Sequence, residues 1–249
     1  MAIIRVHSIE TMSGQDGPGV RCVIFLQGCP LRCTYCHNPD TWPAAGGKEY
    51  SPQQLFDIVC KYKPYFKNRG GVTFSGGEPM LQARDLVPLF QLCSENNIHT
   101  AIDTSGAVLN ESVEECVKLA DLVLLDIKHL HSDEFHTLTG GRLENLLQFV
   151  QMLSRHAKPT WIRQVIVPDW NDTTKDMDEL AAFLADKPFV QKVELLGYHK
   201  LADAKYLELG MTPPMPDVPA MMDMRLAELQ KYLNEKLAGL RINNRSNAR

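Results

Sequence analysis

Six times between residues 20 and 237 an apolar run of strand length is followed by apolar residues at helical spacing, and this alternation constrains the fold more than any other feature. The first run, "VRCVIFLQ" (20–27), is apolar nearly throughout, the pattern of a strand buried on both faces. Ser51 and Pro52 then offer a cap and a first-turn residue to a helix with Leu55, Ile58, Val59 and Tyr62 on one face. Further strands are predicted at 71–75, 99–103, 122–128, 160–167 and 192–198, with helices near 83–95, 111–119, 142–155, 174–185 and 218–237. Right-handed crossovers lay each new strand beside its predecessor in a parallel sheet with helices outside. Eight such units close a barrel, so six predict a partial, open (β/α)6 TIM-like barrel; an open doubly wound sheet satisfies the same periodicity. We expect a single domain over 1–249, with an N-terminal extension to about residue 19, the barrel over about 20–238, and a frayed polar tail over about 239–249.

The chain is 44% hydrophobic and 22% charged with a formal net charge of -4, so it has no basic excess to neutralise a phosphate backbone or an anionic bilayer. Nucleic acid and membrane are therefore not expected as partners. The start "MAIIRVHSIE" interrupts its apolar opening with Arg5 and His7, and no run approaches the ~18 residues of a spanning helix. A cytoplasmic location is expected, and in that reducing setting clustered cysteines serve as ligands or redox groups more often than as disulfides. Of the seven cysteines, Cys22, Cys60, Cys93 and Cys116 are scattered singly and fit ordinary packing.

The other three, Cys29, Cys33 and Cys36, crowd into "GCPLRCTYCH". A structural zinc ion takes four protein ligands, and His37, adjacent to Cys36, is poorly placed to be the fourth. A redox pair of Cys33 and Cys36 leaves Cys29 unexplained. A [4Fe-4S] cluster on three cysteines leaves one iron open to an external molecule. Polar residues also mark the other strand ends: "SGGEP" (75–79), "DTSG" (103–106), "LDIK" (125–128), Arg163 with "VPDW" (167–170), and "GYHK" (197–200). Each has an ordinary reading as a turn, a cap, an Asp126–Lys128 ion pair or a surface histidine. Their concentration at the carboxyl ends of parallel strands, where sites assemble, points to one site.

"CPLRCTYC" resembles the C-x3-C-x-aromatic-C signature of the radical S-adenosylmethionine enzymes. "DGPGVRCVIFLQGCPLRCTYCHNPDTW", "VTFSGGEPMLQ", "IDTSG", "LLDIK", "VIVPDWND" and "LLGYHKL", in this order over nearly the entire chain, resemble the glycyl-radical activases of that family that act on pyruvate formate-lyase. The resemblance implies a [4Fe-4S] cluster on Cys29, Cys33 and Cys36, with S-adenosylmethionine chelating the open iron. Tyr35 and His37 would line the adenine side, Gly77 with its neighbours Gly76 and Glu78 would let backbone approach the methionine amino group, and Asp126, Ile127, Lys128, Arg163 and His199 would make further cofactor contacts, His199 on the adenosine side. Asp103, Thr104 and Asp126 resemble a monovalent-cation site, and Asp16 a contact to the substrate's glycine loop. The implied reaction is reductive cleavage of S-adenosylmethionine to a 5'-deoxyadenosyl radical that takes hydrogen from a backbone glycine of pyruvate formate-lyase. A reduced flavodoxin or ferredoxin-type donor and a monomeric chain are expected.

Two departures are small: serine follows the threonine in "DTSG" where some relatives have asparagine, and Pro79 replaces a smaller residue. The interval "PDTWPAAGGKEYSPQQ" (39–54) lacks the cysteine-rich insertion of many other glycyl-radical activases, which favours pyruvate formate-lyase as partner. The alternatives are an activase for another glycyl-radical enzyme and, in a different class, a non-catalytic iron-sulfur or zinc-binding module.

Overall fold

The structure, a computed structural model, describes residues 2–247, the side chains of 241–247 excepted. In chain order its strands are β1 Ile4–Ser13, β2 Arg21–Leu26, β3 Lys48–Tyr50, β4 Gly71–Gly76, β5 His99–Thr104, β6 Leu122–Asp126, β7 Thr160–Ile166 and β8 Val190–Gly197. Its α-helices are α1 Pro52–Phe66, α2 Ala83–Glu95, α3 Glu111–Leu119, α4 Ser132–Thr139, α5 Leu143–Arg155, α6 Thr174–Leu184, α7 Asp203–Glu208 and α8 Asp223–Asn247. The strands form one sheet in the order β3-β1-β2-β4-β5-β6-β7-β8. From β2 to β8 every neighbouring pair is parallel and the order never reverses. A doubly wound sheet requires a reversal, so right-handed crossovers here keep the crossover helices on one face, as in a partial barrel.

The two faces of the sheet differ in chemistry because successive side chains point to opposite sides. Ile24, Phe74, Ile102, Val123 and Ile162 share one apolar core with Leu55, Leu86, Val113, Leu146, Leu180 and Leu233 of the helices. The alternate positions Ser75, Asp103, Asp126, Arg163 and Glu194 line a cavity on the other face. Asp126 pairs in register with Arg163, and Arg163 with Glu194, which sets a row of alternating charge across three adjacent strands. The helices begin where the sequence dictates: the Ser51 hydroxyl accepts from Gln54 N, and the Gln54 side chain accepts from Ser51 N, a reciprocal cap ahead of Pro52.

Several elements differ from the sequence expectation. The N-terminal stretch supplies β1, which pairs antiparallel with both β2 and β3 and so extends the sheet beyond the six parallel strands. α4 precedes the expected helix at 142–155, and Gly140, with φ of 67°, ends it. The last helix starts at Asp223, after prolines 213, 214, 216 and 219, and its backbone stays helical to Asn247. Only residues 248 and 249 of the expected frayed tail lie outside the described residues. Among the described residues no helix is long and apolar enough to cross a membrane.

The segment between β1 and β2 precedes β2 and therefore enters from the amino ends of the parallel strands. There the Thr73 hydroxyl donates to Asp16 O at 2.7 Å, the Ser13 hydroxyl donates to the Asp16 carboxylate, and Arg163 Nη2 donates to Gln15 O. This loop forms a floor beneath the inner face.

Candidate active site

Above that floor is a cavity of about 950 Å³, lined at its other end by the cysteine loop and the strand ends. The cysteine loop is held by its own backbone. Gly28 N donates to Thr41 O at 2.7 Å and Cys29 N to Trp42 O at 3.2 Å, drawing the two ends of the loop together. Cys36 N donates to Cys33 O at 3.0 Å, while Arg32 N and Thr34 N donate to Thr139 O and Leu138 O at the end of α4. Glu78 N donates to Gly28 O at 2.8 Å, joining the "SGGEP" turn to the loop. A Cβ on Gly77 would lie 2.3 Å from Gly28 O and 3.2 Å from Cys29 Cβ, so only glycine lets these two turns touch.

All three loop cysteines are free, half-buried and on the cavity wall. Burial pushes the Cys29 thiol up to about 12 and Cys33 to about 11, and raises Cys36 as well. The neighbouring Trp42 side chain opposes that rise at Cys36. Three thiols held neutral by burial become thiolates when a cationic centre replaces their protons. Among the described residues no three His, Cys, Asp or Glu side chains converge closely enough to hold one ion. Zinc needs every sulfur within ~2.3 Å of a single centre. A cubane gives each cysteine its own iron, and a splayed trio fits that demand.

Beside the loop, Tyr35 is buried with its hydroxyl unpartnered, and His37 has its Nε2 buried and unpartnered. His37 stacks on His199, with ring centroids 4.0 Å apart and planes 21° apart. Burial and the neighbouring His199 push His37 down to about 4, so the stack carries no charge on that ring at neutral pH. Buried polar atoms without partners at a cavity wall are what a polar, flat ligand would satisfy. Lys128 Nζ donates to Asp126 Oδ2 at 2.7 Å and lies 5.6 Å from the Tyr35 ring centre. Burial opposes the charge on Lys128, yet Asp126, Tyr35 and Cys33 together hold it well above the ordinary lysine value.

Deeper in, Asp103 accepts from the Ser75 hydroxyl at 2.7 Å and stands 3.7 Å from Arg163 Nη1. Burial pushes the Asp103 carboxyl up to about 6 against the pull of Arg163. Arg163 Nε, 3.7 Å from Glu194 Oε2, makes no hydrogen bond.

Of the residues singled out from sequence, the structure gathers Asp16, Cys29, Cys33, Tyr35, Cys36, His37, Gly76, Gly77, Asp103, Thr104, Asp126, Lys128, Arg163 and His199 around this one cavity. Asp16 belongs to the floor and the others to the inner face or the mouth. Glu78 and Ile127 are fully buried away from the wall. The Glu78 carboxylate accepts from Met80 N, Thr104 Oγ1, Ser105 N and Ser105 Oγ at 2.5 to 3.1 Å, and so ties the end of β4 to the end of β5. Ile127 packs in the apolar core while its N–H donates to Arg163 O at 2.8 Å. The Thr104 hydroxyl is committed too, donating to Glu78 and accepting from Gly106 N at 3.0 Å. Sequence reading missed Trp42, Trp161, Lys192 and Glu194 on the wall. For the last two a signal existed: 192, 194 and 196 alternate along a strand whose neighbours already pointed polar groups inward.

Singly wound strands with a three-cysteine loop at their carboxyl ends define a class, and the chain matches the Radical SAM superfamily over residues 23–184. The S-adenosylmethionine-bound SuiB of Streptococcus suis shares the fold with a TM-score of 0.68 at 19% identity, over 86% of this chain and 46% of that one. A domain of pyruvate-formate lyase-activating enzyme from Bacteroides vulgatus ATCC 8482 aligns with a TM-score of 0.55 at 25% identity, over 67% of this chain and 94% of that one. The pyruvate formate-lyase-activating enzyme of Clostridium pasteurianum is 45% identical over 238 residues, 95% of this chain and all of that one. That of Staphylococcus aureus (strain USA300) is 41% identical over 239 residues, 93% of this chain and 95% of that one. The chain therefore belongs to the radical SAM superfamily and, within it, to the family of the pyruvate formate-lyase-activating enzymes. With the superfamily come a [4Fe-4S] cluster on three cysteines and S-adenosylmethionine.

Proposed function

We propose that this chain activates pyruvate formate-lyase by generating a glycyl radical on it. The observation that carries the reading is the enclosure of one cavity between a cysteine loop and the floor loop holding Asp16, with room for a nucleoside and an extended peptide segment. The names of the relatives supply the partner.

Cys29, Cys33 and Cys36 would hold the cluster, and Gly77 lets the neighbouring turn approach it. When bound, the cluster and S-adenosylmethionine supply a one-electron cleavage strong enough to remove a hydrogen atom from a glycine Cα. Tyr35 and His37, the latter stacked on His199, offer flat surface and free polar atoms to the adenine. The Asp126–Lys128 pair presents one charge of each sign to the amino and carboxylate groups of the methionine portion. Arg163 stabilises the charged inner wall and, through Gln15, holds the floor loop that carries Asp16 towards the peptide. Glu78 and Ile127 act from behind the wall, Glu78 through the strand ends it joins and Ile127 through its backbone. A monovalent cation on Asp103, Thr104 and Asp126 would share the two carboxylates with Arg163 and Lys128 and would meet a Thr104 hydroxyl already bound to Glu78. A walled cavity also excludes water from a reactive intermediate.

The electron would come from a reduced flavodoxin or ferredoxin-type protein, and the chain would act as a monomer in the cytoplasm. The seven free cysteines support a reducing compartment.

The test is electron paramagnetic resonance of pyruvate formate-lyase after anaerobic incubation with the reconstituted, reduced protein and S-adenosylmethionine. A glycyl-radical signal is expected, and Cys33→Ala should abolish both the signal and 5'-deoxyadenosine formation. Cleavage without the signal would assign the chain to another glycyl-radical partner, and absence of cleavage would leave only a binding module.

A further inference from the structure

We propose that Trp42 and Tyr206 form a buttress that sets the geometry of the cysteine loop, making them positioning residues for cluster retention. This rests on the reading that Cys29, Cys33 and Cys36 are the ligands. α7, which follows β8, packs across the short turn Pro39–Thr41 that closes the cysteine loop. Its Tyr206 is 2% exposed, is absent from the cavity wall, and donates its hydroxyl to Cys36 O at 3.2 Å. Cys36 N is already bound to Cys33 O, so both backbone groups of the third cysteine are fixed and the direction of its Cα–Cβ bond with them.

Trp42 touches both ends of the trio. Its carbonyl accepts from Cys29 N, and its ring stands on the cavity wall beside Cys36. The indole is itself wedged: the Tyr206 ring meets it edge-on with centroids 6.0 Å apart, and the Arg32 guanidinium lies 5.1 Å from its centre. Next to Tyr206, Lys205 Nζ donates to Asn38 Oδ1 at 2.9 Å and stands 3.5 Å from Asp40 Oδ1, pinning α7 to the same turn. Six residues of helix thus hold the far side of the loop at three points without reaching the cavity.

Losing the Tyr206 hydroxyl frees the Cys36 carbonyl while leaving the aromatic contact with Trp42 in place, which separates this role from simple packing.

The experiment uses the full chain reconstituted with iron and sulfide, as parent, Trp42→Leu, Tyr206→Phe and Tyr206→Leu, with the melting temperature of each apo-protein recorded and iron release to a chelator followed by visible absorbance. Tyr206→Phe should release iron about five-fold faster, the worth of one ordinary hydrogen bond, with an apo-protein melting temperature close to the parent's, and Tyr206→Leu and Trp42→Leu should release it faster still. Parent-like release in Tyr206→Phe and Trp42→Leu would overturn the buttress while leaving the cluster assignment intact. A parent chain that takes up no iron and sulfide would overturn the cysteine assignment and the buttress with it.

Discussion

Asp103 shows how a single buried carboxyl can be read twice. Its ordinary value is 3.8 and burial raises it to about 6, with Arg163 pulling against and Asp126 and Asp16 pushing with the burial. Between those two pH values the folded chain holds a proton that the unfolded chain has lost, so stability falls as pH rises through that window. Asparagine at this position carries no such proton. The melting temperature of the ligand-free Asp103→Asn variant, relative to the parent, should therefore climb from pH 4 to pH 7; a flat or falling difference would refute the assigned cause. At this scale the cysteine trio was legible because its signal is pure spacing. The task of the Glu78 carboxylate was not, because a motif carboxylate reads the same whether it faces a ligand or ties two strand ends through Thr104 and Ser105. Trp42 was equally hidden: nothing in "NPDTWP" says that its carbonyl closes back on Cys29.

Among elements, the parallel strands and most helices were legible because each carries enough apolar residues to fix its period. β1 and β3 were not. The outer half of β1 alternates between half-buried and exposed, and β3 is three residues with no period to find. Missing β1 also hid what the following loop does, since only the antiparallel return of β1 brings residues 14–19 under the inner face. That placement sets an expectation for the loop. Asp16→Ala leaves the cysteine loop untouched at the opposite end of the cavity, so activation of the protein partner should drop well below its parent value while cleavage of S-adenosylmethionine without the partner changes far less. Equal losses in the two assays would contradict a floor that meets the peptide.

For the molecule as a whole, one apolar core runs without a break from Ile4 on β1 to Leu237 on α8. Leu233 is fully buried in it, at the end farthest along the chain from β1. Leu233→Ala should cost about 2–5 kcal/mol in urea unfolding and keep one transition. A separate early transition for α8 would mean that the last helix is an independent unit.

The order of the sheet has a mechanical side as well. Among the described residues β3 and β8 are its two free edges and share no ladder, so the wall is a split ring rather than a hoop. A hoop of strands has its circumference fixed by strand number and stagger. A split ring is free of that constraint: the spacing of its two edges is not set by any ladder between them.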